Sequence, residues 1–521
     1  MGSYQSKAFT YATIVAMGGF IFGLDAAVIS GTVNYITQEF GLSELQLGTA
    51  VSAPALGVLF ALPLAGWACD RLGRKITLQF VAVLYLFSAV ASALAPSFWA
   101  LVIARFIGGL AFSSISLASM YIGEIAPAKW RGKLVSMTQI NIVVGLSAAY
   151  FVNYLILQAA GSGAAWVDNW GLTEYTWRWM LGSEIIPALI WLVLLFLIPE
   201  SPSWLVMTGN IVQAKKNLRR IVPEEEILLH IQDTQKSLEL TGENRSMVTQ
   251  LKEIFAKPMR ATLIIAVTIA IVQQATGINA ILFYAPTVFE QLGLGTDAAF
   301  VQAIWIGLTS IIFTLLALLL IDKVGRRPMI IWGMVWIIIS LGMCSYGFKT
   351  ARYTLTEKAI LEMTDIPDRN RLLVLTDKEY TSDTEFKQAL KESLGDKDVR
   401  EHSSLLIQKA ATLNATLILI GLLSFIAAFH FSVGPIMWVL FSEIFPISLR
   451  GVAIPFFTLI TSLTNYLVQQ FFPWQLATMG GSAIFLFYAL MVAVGLIILY
   501  RYLRETKNMT IEEIQLALQK K

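Results

Sequence analysis

Three ionisable residues sit inside long apolar segments of this chain: Asp25, Arg105 and Glu184. A charge at membrane depth is costly, and by default it marks a functional position. Burial raises the pKa of a carboxyl group, and a neighbouring guanidinium lowers it. A carboxyl that moves between those environments takes up a proton on one side and gives it up on the other. The alternative is a permanent Asp25–Arg105 ion pair that only joins two helices. A second set of residues is uncharged. Gln139, Gln273, Gln274, Asn279, Tyr284 and Asn465 also fall in apolar segments. Amides offer paired donors and acceptors without charge, which suits a neutral polyhydroxylated ligand and suits an ion poorly. They can equally hydrogen-bond neighbouring helices to one another. On a continuous helix, positions 273, 277 and 284 lie near one face, with 274 and 278 beside it.

Such residues need helices that cross a bilayer. Of 521 residues, 56% are hydrophobic and only 14% are charged, against about 25% charged in a soluble chain. This excludes a disordered chain, a collagen, a coiled coil and a disulfide-stapled domain. A net charge of +3 makes no basic field for nucleic acid. Cys69 and Cys344 support neither a disulfide framework nor a metal site. No Ser/His/Asp set or phosphate loop is present, so no enzyme activity, cofactor or metal is expected. The N-terminal apolar stretch lacks a cleavage site and reads as a retained first span.

Segments of spanning length fall at 9–31, 46–68, 76–96, 99–122, 134–157 and 178–198. After a polar stretch, six more fall at 259–287, 299–321, 328–348, 411–439, 450–473 and 480–502. The expected fold is an all-α membrane protein with twelve transmembrane helices in two pseudo-symmetric six-helix bundles. The expected divisions are 1–199, a cytoplasmic helical linker at 200–257, and 258–521 with an extracytoplasmic insertion at 349–409. Lys and Arg crowd one side of this arrangement and are missing from the short connections near 32–45, 158–177, 288–298 and 474–479. The asymmetry predicts that both termini are cytoplasmic.

The two halves repeat a charged signature. Asp70-Arg71-Leu72-Gly73-Arg74-Lys75 follows span two, and Asp322-Lys323-Val324-Gly325-Arg326-Arg327 follows span eight. Six residues separate Glu124 from Arg131-Gly132, and six separate Glu443 from Arg450-Gly451. The first pair of motifs is 252 residues apart and the second 319. The insertion accounts for most of that difference. A carboxylate near a helix end with Arg in reach makes a charge-assisted latch. Cytoplasmic latches are expected from Asp70, Arg71, Arg74, Glu124 and Arg131, and from Asp322, Arg326, Glu443 and Arg450, breaking as the two halves rock apart.

With these motifs the chain resembles the sugar porter family of the major facilitator superfamily, over all twelve spans and the linker. The carriers are Gly-Gly-Phe-Ile-Phe-Gly-Leu-Asp (18–25), the Asp70 and Asp322 loops, and Arg105-Phe-Ile-Gly-Gly-Leu. They continue with Trp177-Arg178-Trp179-Met180, Pro-Glu-Ser-Pro-Ser-Trp-Leu (199–205), Gln273-Gln274 with Gly277-Ile278-Asn279, and Gly434-Pro435. The resemblance implies a central sugar site lined by Phe22, Gln139, Gln273, Gln274, Asn279, Tyr284, Trp438 and Asn465. Phe22 and Trp438 would offer flat faces to sugar C–H groups. It also implies that Asp25 with Arg105 and Glu184 marks a proton-coupled member, since facilitators commonly carry Asn at the first position.

Some positions depart from the family pattern. Leu24, Leu146, Ser310, Val433 and Thr461-Ser462 stand where larger or amide side chains are common. The smaller ones either admit a bulkier sugar or mark repacking. His430, one turn before Gly434, reads as a satisfied packing residue. The insertion carries twelve acidic and eleven basic residues. Amphipathic patterns at Thr381–Leu394 and Ser403–Ala411 predict a small folded cap. A lid, a partner surface and neutral decoration are all open for it. The expected function is proton-coupled symport of a monosaccharide, hexose or pentose, by alternating access. A facilitative uniporter, an inositol or polyol symporter and a non-transporting sugar sensor are the alternatives. The expected partners are a neutral sugar, a proton and the lipid bilayer of a bacterial inner membrane, with no nucleic acid. The protein is expected to be a monomer.

Overall fold

The computed structural model describes residues 3–126, 130–241, 247–364, 366, 368–509 and 511–519. Span one is Ser3–Val28, span two Glu44–Leu72, span three Arg74–Ala93 and span five Arg131–Ala160. Spans eight and nine are Thr296–Val324 and Arg326–Lys349. The remaining spans are broken or joined where an apolar pattern alone shows nothing. Span four is Phe98–Ala111 then Ser114–Ile125, and span six is Thr176–Gly182 then Ile185–Leu195. Span seven comes in three pieces, Arg260–Ala275, Ile278–Phe283 and Ala285–Glu290. Span ten is Ala415–Phe431 then Val433–Ile444, so it starts later than the sequence predicts. Spans eleven and twelve form one helical run, Ile447–Tyr502, interrupted only by Gly480 at φ 78. The sequence predicts a connection at 474–479; a single glycine in the left-handed region makes the corner instead.

Side-chain caps fix several starts. Ser43 and Gln46 form a reciprocal capping box at span two, and Ser97 accepts from the Ala100 N–H at span four. Each satisfies a backbone donor that the first helical turn leaves orphaned.

Twelve crossings leave both termini on one face, here called the terminal face; the insertion lies on the other. One apolar core contains side chains of both halves, from Val33, Ile36 and Val51 to Ile281, Phe289 and Phe472. A second core belongs to the first half alone and takes in Leu205, Leu218, Ile227 and Ile231 of the linker. The linker forms the helices Pro202–Met207, Ile211–Leu218, Glu224–Thr241 and Met247–Ile254.

The insertion folds around its own core of Tyr353, Leu355, Ile360, Leu372, Phe386, Leu390 and Leu406. The rings of Tyr353 and Phe386 stack with centroids 5.5 Å apart. The helices Asp383–Leu394 and Ser403–Ala410 fall where the amphipathic patterns predict them. The cap also holds a three-stranded antiparallel sheet, ordered Glu379–Tyr380, Arg352–Thr354, Ala411–Thr412. This departs from an all-α description. Strands of two or three residues are too short to show alternation in sequence. Asp383 accepts the Gly481 N–H at 3.3 Å, docking the cap on the corner after span eleven. The short cap helix Asp396–Glu401 lies against the helix Val33–Phe40 of the first half.

Candidate transport site

Spans one and five cross at van der Waals distance because glycines face each other's backbone. A Cβ on Gly23 would lie 1.9 Å from the Ile142 carbonyl, and one on Gly145 would lie 2.0 Å from the Phe20 carbonyl. This crossing seats Asp25, two residues on. Gly108 of span four lets that helix approach too, since a Cβ there would come within 3.2 Å of Asp25 Oδ2.

Asp25 Oδ1 meets Arg105 Nη1 at 3.4 Å, with side-chain exposures of 4% and 2%. Glu184 is buried at the break in span six, within electrostatic reach of both. Asp25 Oδ2, Arg105 Nε and Glu184 Oε1 have no hydrogen-bond partner among the described residues. The Arg74–Glu124 and Arg326–Glu443 pairs are shorter, at 3.0 and 2.8 Å, and are hydrogen-bonded on several sides. The cluster is thus a single long contact with three buried polar atoms left without a partner among the described residues, an arrangement that calls for an explanation other than packing.

A chain of amides crosses from span seven to span eleven. Gln273 Nε2 donates to the Gly434 carbonyl of span ten at 3.4 Å. Gln274 Nε2 donates to Gln273 Oε1 at 2.8 Å. Asn279 Nδ2 reaches both Gln274 Oε1 at 2.8 Å and Asn465 Oδ1 at 2.7 Å. Gln469 Nε2 also donates to Asn465 Oδ1, at 2.6 Å. Gln139 is half-buried on span five. Phe22 packs edge-on against Phe112 with centroids 4.5 Å apart. Trp438 is 37% exposed, its ring edge-on to Phe441.

Tyr284 corrects the helical-face argument. The helix breaks at Gly277, φ 79, and again at Tyr284 itself, so 273 and 284 share no continuous face. Tyr284 is buried against Phe472, ring centroids 5.2 Å apart, and its hydroxyl has no partner among the described residues. Leu24 and Leu146 lie in the apolar core. Ser310 and Thr461 donate to carbonyls of their own helices, at 2.8 and 3.0 Å; those positions are repacked. His430 is only half satisfied: Nδ1 meets Thr314 Oγ1 at 3.2 Å while Nε2 has no partner among the described residues.

Asn279→Ala would strip donors from two acceptors at once. Losing one partner of a half-buried hydrogen bond costs about 1–3 kcal/mol. The variant is expected to lose about that much stability, read as a lower thermal unfolding midpoint of the detergent-solubilised protein.

The charged signatures fold into matching clusters, one per half. In the first, Arg74 Nη2 meets Glu124 Oε1 at 3.0 Å, and Ser201 Oγ donates to Glu124 Oε2. Glu200 accepts the Arg74 N–H at 2.9 Å and a Lys75 N–H at 3.1 Å. Burial pushes the Glu200 carboxyl above its usual range, against the pull of these N–H groups. In the second, Arg326 meets Glu443 at 2.8 Å, Thr506 donates to Glu443 at 2.5 Å, and Glu505 accepts the Arg326 N–H at 3.0 Å. Asp322 adds a 3.0 Å contact to Arg326; Asp70 reaches Arg74 only at 3.7 Å and is largely exposed.

Two of the expected latch positions differ. Arg71 lies over the Trp67 ring at 5.1 Å rather than on a carboxylate, because both project from the exposed last turns of span two. Arg450 donates Nε to the Phe445 carbonyl at 3.0 Å instead of pairing with Glu443. The side chain of Arg131 lies outside the described residues. Each cluster also joins helices of one half only, so rocking of the halves need not break it. Arg326→Gln strands Glu443 and is expected to cost about 1–3 kcal/mol, seen as a lower thermal unfolding midpoint.

The described hydrogen bonds between the halves lie toward the insertion face. Asn34 donates to Glu290 at 2.7 Å, Gln158 to Asp297 at 3.0 Å, and Tyr150 to the Leu282 carbonyl at 2.6 Å. Ser52 donates to Gln470 Oε1 at 2.9 Å. Gln470 Nε2 reaches the Leu45 carbonyl at 3.0 Å and Thr49 Oγ1 at 3.1 Å. Gln469, Gln470, Asn34 and Glu290 were not singled out by sequence. The two glutamines carry the same signal as Asn465, an amide in an apolar segment, and could have been found.

Twelve spans in two six-helix halves, hydrogen-bonded to each other toward one face, are the architecture of a major facilitator transporter. A family model described as sugar (and other) transporter matches residues 11–363 and 403–518, and the gap between them lies in the cap. The chain belongs to this sugar transporter family. It is 32% identical to the D-xylose-proton symporter of Escherichia coli K12, over 98% of this chain and 96% of the relative. It is 30% identical to the arabinose-proton symporter of Bacillus subtilis 168, over 96% and 92%. The inward open conformation of the xylose transporter XylE from E. coli superposes with a TM-score of 0.73 at 30% identity, covering 98% of this chain and 99% of that one.

Proposed function

We propose that this chain is a proton–monosaccharide symporter that works by alternating access. The incompletely bonded Asp25–Arg105–Glu184 cluster carries the reading. A permanent structural pair would be short and saturated, as the Arg74–Glu124 and Arg326–Glu443 pairs are. A proton on Asp25 removes its attraction to Arg105 and frees spans one and four from each other; loss of the proton restores it. The neutral amide chain of spans seven, ten and eleven matches a ligand with many hydroxyls and no charge. Relatives named for xylose and arabinose support the monosaccharide class.

The terminal face is cytoplasmic on this reading, by the basic residues that crowd it. The seal at the insertion face then makes this the inward-facing stage, with the site open to the cytoplasm. The protein acts as a monomer in a bacterial inner membrane, and sites for sugar and proton sit within one chain.

Reconstitution into liposomes tests the proposal. With a panel of hexoses, pentoses and inositol, an added substrate is expected to drive proton uptake that a pH dye records. Sugar equilibration with no proton movement would make the protein a facilitator and overturn the coupled reading.

A further inference from the structure

Gln469 and Gln470 are consecutive on span eleven, yet their side chains serve different neighbours. Gln469 is 2% exposed and donates to Asn465 Oδ1, which also accepts from Asn279. Two donors converge on that oxygen, so the Asn465 amide cannot flip without setting NH2 against NH2. Its own Nδ2 is thereby turned away from both donors. Gln470 faces the first half and makes three polar contacts across the seam between spans two and eleven: one accepted from Ser52 and two donated, to Leu45 and Thr49. The backbones also touch there, since a Cβ on Gly48 would lie 2.0 Å from the Gln470 carbonyl.

We infer that Gln469 and Gln470 are positioning residues that tie the amide site to the seal at the insertion face. Gln470 is the bolt across the seam. Gln469 passes the orientation of Asn465 to it through one peptide unit of a continuous helix. A ligand that draws on Asn465 and Asn279 competes for the hydrogen bonds that hold Gln469, and any turn of the helix at 469 displaces the neighbouring bolt. Occupancy and sealing are then linked, and the linkage is reciprocal. The relay rests on the proposed reading of the amides as the sugar site; the bolt does not.

Spin labels at Leu45 and Thr478, exposed positions on the two halves at that face, report the seam by pulsed electron resonance. Without sugar, Gln470→Leu is expected to raise the long-distance population about tenfold. The pair Thr49→Val with Ser52→Ala removes both side-chain partners, leaves only the Leu45 carbonyl and spares Gln470, so it must shift the distances the same way; it also decides the matter if Gln470→Leu does not fold. Unchanged distances in both would overturn the bolt. Gln469→Leu is expected to keep the sugar-free distances and lose the shift that saturating sugar causes in the parent. A retained shift would overturn the relay. The sugar-free measurements need no cargo, so an error in the proposed function leaves the bolt standing.

Discussion

Asp25→Asn is expected to abolish sugar accumulation while sparing sugar exchange. A one-unit pH gradient is worth about 1.4 kcal/mol and sustains about tenfold accumulation if one proton moves per sugar. Asparagine keeps the shape of Asp25 and cannot take part in the proton cycle. The accumulation ratio in liposomes should fall to about one, while counterflow of labelled sugar, which needs no net proton movement, continues. The substitution leaves Arg105 without Asp25, and a buried cation stripped of its partner costs several kcal/mol. Glu184 remains in reach and limits that loss. Sugar binding to the variant separates a dead fold from an uncoupled one. Full accumulation by a folded Asp25→Asn protein would show that the proton travels elsewhere.

Gly23→Ala is expected to destroy the fold, although it adds one methyl group. The new carbon would sit 1.9 Å from the Ile142 carbonyl and 2.9 Å from the Leu146 N. Both are backbone atoms, so neither can turn aside. Spans one and five would have to part along the seam, which also holds Gly19 within 2.6 Å of the Thr138 carbonyl. Overpacking of ordinary cores costs about 1–3 kcal/mol; a clash against backbone atoms of the facing helix exceeds that range. The expected result is aggregated protein with no cooperative melt. Gly66→Ala is the control. Gly66 also lies inside a helix, but a Cβ there meets nothing within 4 Å. Alanine is the better helix former by about 1 kcal/mol, so this variant should melt at or above the parent. Equal behaviour of the two variants would refute the close-crossing argument.

Much of this is legible without coordinates of any kind. Low charge and recurring apolar segments predict twelve spans, and paired Asp-x-x-Gly-Arg loops predict a duplicated unit. Asp25, Arg105 and Glu184 are conspicuous because each is an ionisable residue inside a long apolar segment. The helix breaks are only partly legible: glycine and proline in spans seven and ten mark where those helices can bend, whereas the hydropathy of a whole span does not show on which residue, such as Ser183 or Ser432, the backbone turns. That is why Tyr284 leaves the face it shares with Gln273 on paper. Arg71 shows a second limit: a guanidinium has carboxylate and aromatic partners available, and local geometry chooses. The seal at Gln470 is a property of one conformation, which a sequence shared by all conformations does not single out.

The cap begins and ends on adjacent strands, with Tyr353 opposite Ala411. Its entry and exit are therefore neighbours, however long the chain between them. To spans nine and ten the whole insertion is geometrically a hairpin turn. The join is local, so changing the insertion's length leaves unaltered the distance the two helices must bridge, whereas the ties to the corner after span eleven and to the helix Val33–Phe40 belong to the cap itself and would change with it.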